Sequence, residues 1–292
     1  MPSFFDRAIV SADPATLAPQ ADAPTTPSTA ELPPKNNKAI SITNYLFFLP
    51  LIRMRPLCCS PIFMNPRFLL LALLIPTTTF GHDLWIERNG QLHSLAYGHE
   101  RSSHIGEKRL QYQPESVQQA RCFDASGQEL PTERGRQYPV TLKGDCGASW
   151  FLLSTGYWSK TPYGTKNLAK NQAGAVIESW QSIEAVKRLD LWGSALARPL
   201  TLELELAPIE NPLGLKAGDK LRLRAWFQGK PAANVSVAYF GKPRGVSGAD
   251  GAINIRLNQA GYQHIEASLE QPLNDDRADK SIHATALQFE IQ

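Results

Sequence analysis

The chain has 292 residues, of which 42% are hydrophobic and 20% charged, with a formal net charge of +3. That apolar content suffices for a buried core and excludes global disorder, while the weak charge excludes an electrostatic footprint for nucleic acid. No apolar run reaches the roughly 18 residues of a membrane-spanning helix, which excludes a polytopic membrane protein.

The two ends of the chain differ in composition. Residues 1–81 carry 12 of the 22 prolines but only 6 of the 30 Lys+Arg and 4 of the 27 Asp+Glu, and all six histidines lie beyond them. Residues 1–63 read as a disordered Pro-rich leader, because they hold few large apolar groups to repay the entropy of folding. At Met64 the pattern changes to a secretory signal. Arg67 is a short basic region, Phe68–Ile75 an apolar one, and Thr79 and Gly81 are small residues at −3 and −1 of a cleavage site before His82. A signal normally opens a chain, so translation is expected to start at Met64, or else residues 1–63 are an extension with Tyr45–Ile52 as an apolar patch. Either way the mature product is expected to be 82–292, located in the periplasm, with no membrane span.

Cys58 and Cys59 fall in the part to be removed, which leaves Cys122 and Cys146. An even pair in an exported chain reads as a disulfide, and a loop of that size adds about 3–4 kcal/mol of stability in the chain-entropy account.

Strand signals dominate residues 82–292. Strands are expected near 82–87, 91–97, 116–124, 137–143, 148–154 and 200–207, the last from the alternation of Leu200, Leu202, Leu204 and Leu206. Residues 156–193 do not alternate. They read as a long loop bearing Trp158, Trp180 and Trp192, with one short helix over 182–191. After Pro208–Pro212 the apolar faces are Leu221, Leu223, Ala225 and Phe227, then Val235, Val237 and Tyr239, then Ile253, Ile255 and Leu257 behind an Asp250–Gly251 turn, and finally His283, Thr285, Leu287, Phe289 and Ile291. The expected fold is all-β, with two antiparallel β-sandwich domains: 82–207, and 208–292 as an immunoglobulin-like sandwich.

The histidines carry the candidate chemistry. Cleavage after Gly81 makes His82 the first residue, whose α-amine and imidazole chelate one metal ion through a ring and suit nickel, cobalt, copper or zinc. Cleavage after Thr79 would instead give Phe-Gly-His, a square-planar copper or nickel site. His99 and Glu100 follow a strand end, with His104 five residues beyond His99. His283 shares the apolar face of the last strand and needs a hydrogen bond or a metal there. His93 reads as a core histidine and His264 as an exposed one. There is no H-E-x-x-H, G-x-S-x-G, P-loop or C-x-x-C, so the chain is not expected to be an enzyme.

His82-Asp-Leu-Trp-Ile-Glu resembles the mature start of exported proteins of the family labelled domain of unknown function 4198. Tyr97-Gly98-His99, the run Gly156-Tyr-Trp-Ser-Lys-Thr-Pro-Tyr-Gly-Thr-Lys, Ser179-Trp180 and Glu184-Ala-Val-Lys-Arg extend the likeness. So do Gly229-Lys-Pro-Ala-Ala-Asn-Val, the Ala249-Asp-Gly turn, Gly261-Tyr262 and His283-Ala-Thr-Ala-Leu-Gln-Phe. The resemblance implies a periplasmic protein of two β-domains linked to nickel or cobalt uptake and similar to the metal-binding component of nickel transporters. His82, His99 and His283 fall on its pattern. Those transporter components carry a membrane segment and residues 82–292 do not, so the implied role is binding and delivery.

The expected function is therefore capture of a divalent transition metal, nickel or cobalt, with copper as a further possibility. The site would be built from His82, His99 and His283 or His104, and the partner would be an uptake transporter or outer-membrane receptor. Two alternatives stand beside it. One is a non-catalytic module binding a protein or glycan through the Trp158/Trp180 surface. The other is a copper oxidase with an N-terminal histidine brace at His82.

Overall fold

The computed structural model describes residues 83–100 and 109–292. The expected leader and signal segment, Cys58, Cys59, His82 and His104 lie outside the described residues. The described residues contain strands and short 3-10 turns and no α-helix. In chain order the strands are β1 (Asp83–Asn89), β2 (Leu92–Gly98), β3 (Val117–Phe123), β4 (Glu129–Leu130), β5 (Glu133–Gly135) and β6 (Thr141–Lys143). Then come β7 (Ala148–Thr161), β8 (Gly164–Lys166), β9 (Glu178–Leu189), β10 (Glu205–Pro208), β11 (Lys220–Phe227) and β12 (Lys230–Pro231). The last five are β13 (Ser236–Tyr239), β14 (Lys242–Val246), β15 (Ala252–Arg256), β16 (Gly261–Asp275) and β17 (Ala278–Ile291).

Three sheets form. A nine-stranded sheet runs β14-β13-β16-β17-β9-β7-β3-β4, with β8 attached to β7. A sheet of β1-β2-β6-β5 covers one of its faces, and a sheet of β10-β11-β12 with β15 covers the other. Pairing is antiparallel throughout except between β17 and β9, which run parallel with Gln288 opposite Arg188. Strand periodicity then sorts the side chains of β17 between two cores. Leu287, Phe289 and Ile291 point toward Leu221, Leu223 and Ile255, while Ala286 points toward Leu84, Ile86 and Leu95.

This arrangement changes the expected organisation. The C-terminal strands do supply two facing sheets, but one of them continues through β17 into β9, β7 and β3. The described residues consequently fall in one compact unit, and Pro208–Pro212 is a connection within it.

The reading of 156–193 is also corrected. The expected helix over 182–191 is β9, and much of the expected loop is the far half of β7 with β8. A central strand packed on both faces loses its apolar alternation, which is why β9 does not read as a strand. The expected 200–207 strand shrinks to Glu205–Pro208. Thr201–Leu204 are bends and Leu202 is 71% exposed.

Cys122 and Cys146 form a disulfide with a Cα–Cα distance of 5.2 Å. A disulfide points to an oxidising, extracytoplasmic compartment. Among the described residues no helix is long and apolar enough to cross a membrane.

Candidate functional site

A cluster of ionisable groups sits where β1 and β2 meet β16. Alternation on β16 turns Ile265 and Ala267 into one core and leaves Tyr262, His264 and Glu266 on the opposite face, toward β1. The expectation that His264 is exposed fails here: it is 3% exposed. Its direct partner across the ladder is Gln288 of β17, itself fully buried. Gln288 Oε1 accepts the Ile86 N–H at 2.9 Å, and its Nε2 lies 3.2 Å from His264 Nδ1. One amide thus links the covering sheet, the central sheet and the imidazole.

The ends of β1 and β2 complete the cluster. Asp83 opens β1 opposite Gly98, which closes β2. Gly98 has φ +144°, a conformation that side chains disfavour, and there the chain turns so that the Glu100 N–H donates to Asp83 Oδ2 at 3.0 Å. Glu100 Oε2 then lies 3.5 Å from His264 Nδ1 and accepts from the Tyr262 hydroxyl at 3.3 Å. That hydroxyl is 3.1 Å from His264 Nδ1. On the other side of the ring, Glu266 Oε1 stands 3.7 Å from Nε2, and Glu266 Oε2 accepts the Gly241 N–H at 2.7 Å. Phe240 stacks near the imidazole, with ring centroids 6.5 Å apart.

Two carboxylates, Glu100 and Glu266, therefore flank one buried imidazole, and Asp83 stands near enough for its charge to act on Glu266. Burial pushes the Glu266 carboxyl up to about 7, and the negative charges of Asp83 and Glu100 push it the same way. A site with this balance favours a bound cation or a proton.

The expected ligands are placed as follows. His99 is half-buried and directly precedes Glu100 at the edge of the cluster. His283 is elsewhere. It shares the face of Leu287 and Phe289, its ring meets Phe227 edge-on at 4.7 Å, Nε2 is 3.1 Å from Ser281 Oγ and Nδ1 is 3.8 Å from Glu203. His99 and His283 thus lie on opposite sides of the central sheet, and the structure does not bring them together. His93 is fully buried, as expected of a core histidine, with Nδ1 4.0 Å from Asp190 Oδ2, and desolvation lowers its pKa.

Asp83, Tyr262, His264 and Glu266 were missed from sequence. The signal for the last three was present as a Tyr-x-His-x-Glu alternation, but nothing in it told which face meets another sheet. Among the described residues no group of three or more His, Cys, Asp or Glu is arranged to hold a metal ion. The cluster supplies part of a nitrogen and oxygen donor set and not a complete coordination sphere.

A family model described as "Domain of unknown function (DUF4198)" matches residues 79–271, a span that takes in β1, β2 and the cluster residues of β16. No curated protein matches the chain.

Proposed function

The chain belongs to the DUF4198 family, whose description gives no function, and on that premise we propose that it is an exported protein that binds a divalent transition metal ion at the His264 cluster. The observation that carries this is the convergence of Glu100 and Glu266 on a buried imidazole, with the charge of Asp83 acting on the same place. Like charges held together in a poorly solvated place are relieved by a cation. An imidazole with carboxylates suits zinc, nickel, cobalt or copper.

The described residues need further donors, and sequence adjacency supplies two candidates. His82 directly precedes Asp83 and His99 directly precedes Glu100. His264 takes the place first given to His283 in the ligand set. Capture followed by delivery to an uptake transporter or outer-membrane receptor, with nickel or cobalt as cargo, is the role consistent with a family resemblance to uptake proteins. Periplasmic location after cleavage before His82 fits the disulfide.

The test is equilibrium dialysis of the chain starting at His82 against nickel and cobalt. Removing a donor with His264→Gln or Glu100→Gln is expected to weaken binding tenfold or more, about 1.4 kcal/mol. Unchanged affinity in both variants would remove the site. Glu100 lies at a strand exit, so its variant remains informative if the buried His264 variant fails to fold.

A second reading keeps one observation of its own. Beyond Gly156 the β7–β8–β9 extension pairs Trp158 with Trp180 and carries Tyr163, 90% exposed, and Ile177. These side chains support an interaction surface for a protein or glycan, and the same dialysis with no bound metal would favour it.

A further inference from the structure

On the far side of the molecule from His264, a groove of about 660 Å³ lies between the 194–199 turn and the outer face of β10 and β11. Alternation along β11 builds its floor. Leu223 and Ala225 point into the core, so Arg224 and Trp226 point out. Ala197, Arg198, Pro199 and Ile209 form the rest of the walls used here.

Three features of the lining point to the same ligand chemistry. The first is cationic charge without strong pairing. Arg198 makes no side-chain hydrogen bond or ion pair among the described residues. Arg224 has Asp250 at 3.7 Å, a carboxylate 66% exposed and so a weak surface pairing, and its guanidinium lies 5.8 Å over the Trp226 ring, with no close carboxylate. The neighbouring Arg222, by contrast, is held by Glu210 through two hydrogen bonds of 2.9 and 2.6 Å. The second is a pair of stranded donors. Arg224 Nε and Trp226 Nε1 are both buried from water with no acceptor among the described residues. Such a donor forfeits about 1–3 kcal/mol, and native proteins hold few of them. The two sit on adjacent outward positions of the strand that floors the groove, where a ligand that shifts either side chain would supply an acceptor. The third is the apolar share of the wall, from Trp226, Pro199, Ile209 and Ala197, which a bare inorganic ion would leave unfilled. The volume lies within the range of small-molecule sites, roughly 300–1,000 Å³.

We propose that this groove is a binding site for a small organic anion bearing two or more carboxylates. Arg198 and Arg224 would each engage a carboxylate, in the forked geometry that guanidinium offers. Trp226 would donate its indole N–H and pack its ring on the carbon skeleton. The groove shares no residue with the His264 cluster, so failure of either proposal leaves the other standing.

The experiment follows the indole Nε1–H resonance of Trp226 in ¹⁵N-labelled protein, identified by its loss in Trp226→Phe. Succinate, citrate, phthalate and inorganic phosphate are titrated in turn. At least one of the three carboxylates is expected to shift that resonance saturably, and Arg198→Gln with Arg224→Gln to weaken it at least tenfold. Arg198→Gln alone, an exposed substitution, is expected to weaken it measurably and serves if the double variant misfolds. No saturable shift with any carboxylate, or unchanged affinity in the arginine variants, would overturn the proposal. Phosphate binding as tightly as the best carboxylate would overturn the organic class.

Discussion

Lys187 Nζ donates to Glu205 Oε1 at 2.6 Å in a place where both side chains are almost fully buried. The pair joins β9 of the central sheet to β10 of the covering sheet. Glu205 Oε2 also accepts from the Leu200 and Thr201 N–H groups, so the carboxylate organises the bends before β10. Removing one member of a buried pair leaves an uncompensated charge, at about 3–5 kcal/mol. Lys187→Met is therefore expected to lower the unfolding free energy by about 3 kcal/mol or more in urea. A loss below about 1 kcal/mol would show that the pair is not buried as described.

The same two residues show what the sequence could and could not reveal. Lys187 fell inside an expected helix, and Glu205 on the expected solvent face of a leucine alternation. Both readings assume that a charged side chain faces water. Here two chain segments bring opposite charges into one core, and no local pattern records that meeting. Where a strand has one wet face, alternation located it well. Arg222 and Arg224 outside with Leu221, Leu223 and Ala225 inside is the arrangement found on β11. β1 and β2 were found to within a residue or two of their bounds. The strands at the centre of the large sheet are covered on both sides, and the boundary drawn at Pro208–Pro212 could not foresee that β17 would pair with β9. The site suffered most. His264 looked exposed because its face is polar, and that face is polar because it meets Glu100 and Asp83 from another sheet.

The position of His283 separates the two versions of the proposed metal site. His283→Ala removes an edge contact with Phe227 and the contacts with Ser281 and Glu203, all on the opposite side of the central sheet from His264. It is expected to leave nickel affinity within twofold of the unaltered chain while lowering stability by about 1 kcal/mol. A tenfold loss of affinity would return His283 to the ligand set and displace His264.

Glu184 makes the fold sensitive to pH. Packing pushes its carboxyl from 4.5 up to about 7, against the opposing hydrogen bond from Ser182. The folded chain then holds a proton that the unfolded chain has released. The protonated group imposes no penalty below about pH 4.5, and stability falls as pH rises from there through about 7. Glu184→Gln is expected to raise Tm at pH 8 and leave it nearly unchanged at pH 4.5, so that the variant's Tm falls less across that interval. Parallel curves for the two proteins would show that Glu184 titrates normally.

Reduction of the disulfide reaches stability through the unfolded chain. Cys122 and Cys146 are both buried, so a mild reductant acts on the native protein slowly. The double substitution Cys122→Ser with Cys146→Ser frees a loop of 24-residue separation. The expected loss is about 3–4 kcal/mol in the chain-entropy account, read as a lower urea midpoint. An unchanged midpoint would mean that the bond is not formed in the protein.

Two glycines with positive φ separate backbone strain from close approach. Gly251 completes the turn expected from Asp250–Gly251 and has φ +77°. A Cβ there would meet Ala225 O at 2.6 Å and Ala232 N at 3.1 Å, because the turn is pressed onto the hairpin of β11 and β12. Ala225 N also donates to Gly251 O at 2.8 Å, so the turn cannot move away without losing that bond. Gly156 has a similar φ of +83° and open space around it. Gly156→Ala is expected to lose only the strain of the left-handed conformation, about 1–2 kcal/mol. Gly251→Ala adds overpacking to that strain and is expected to lose about 2–4 kcal/mol. Equal losses in the two variants would show that the turn yields to the new methyl group, and that the contact between Gly251 and Ala225 does not hold it in place.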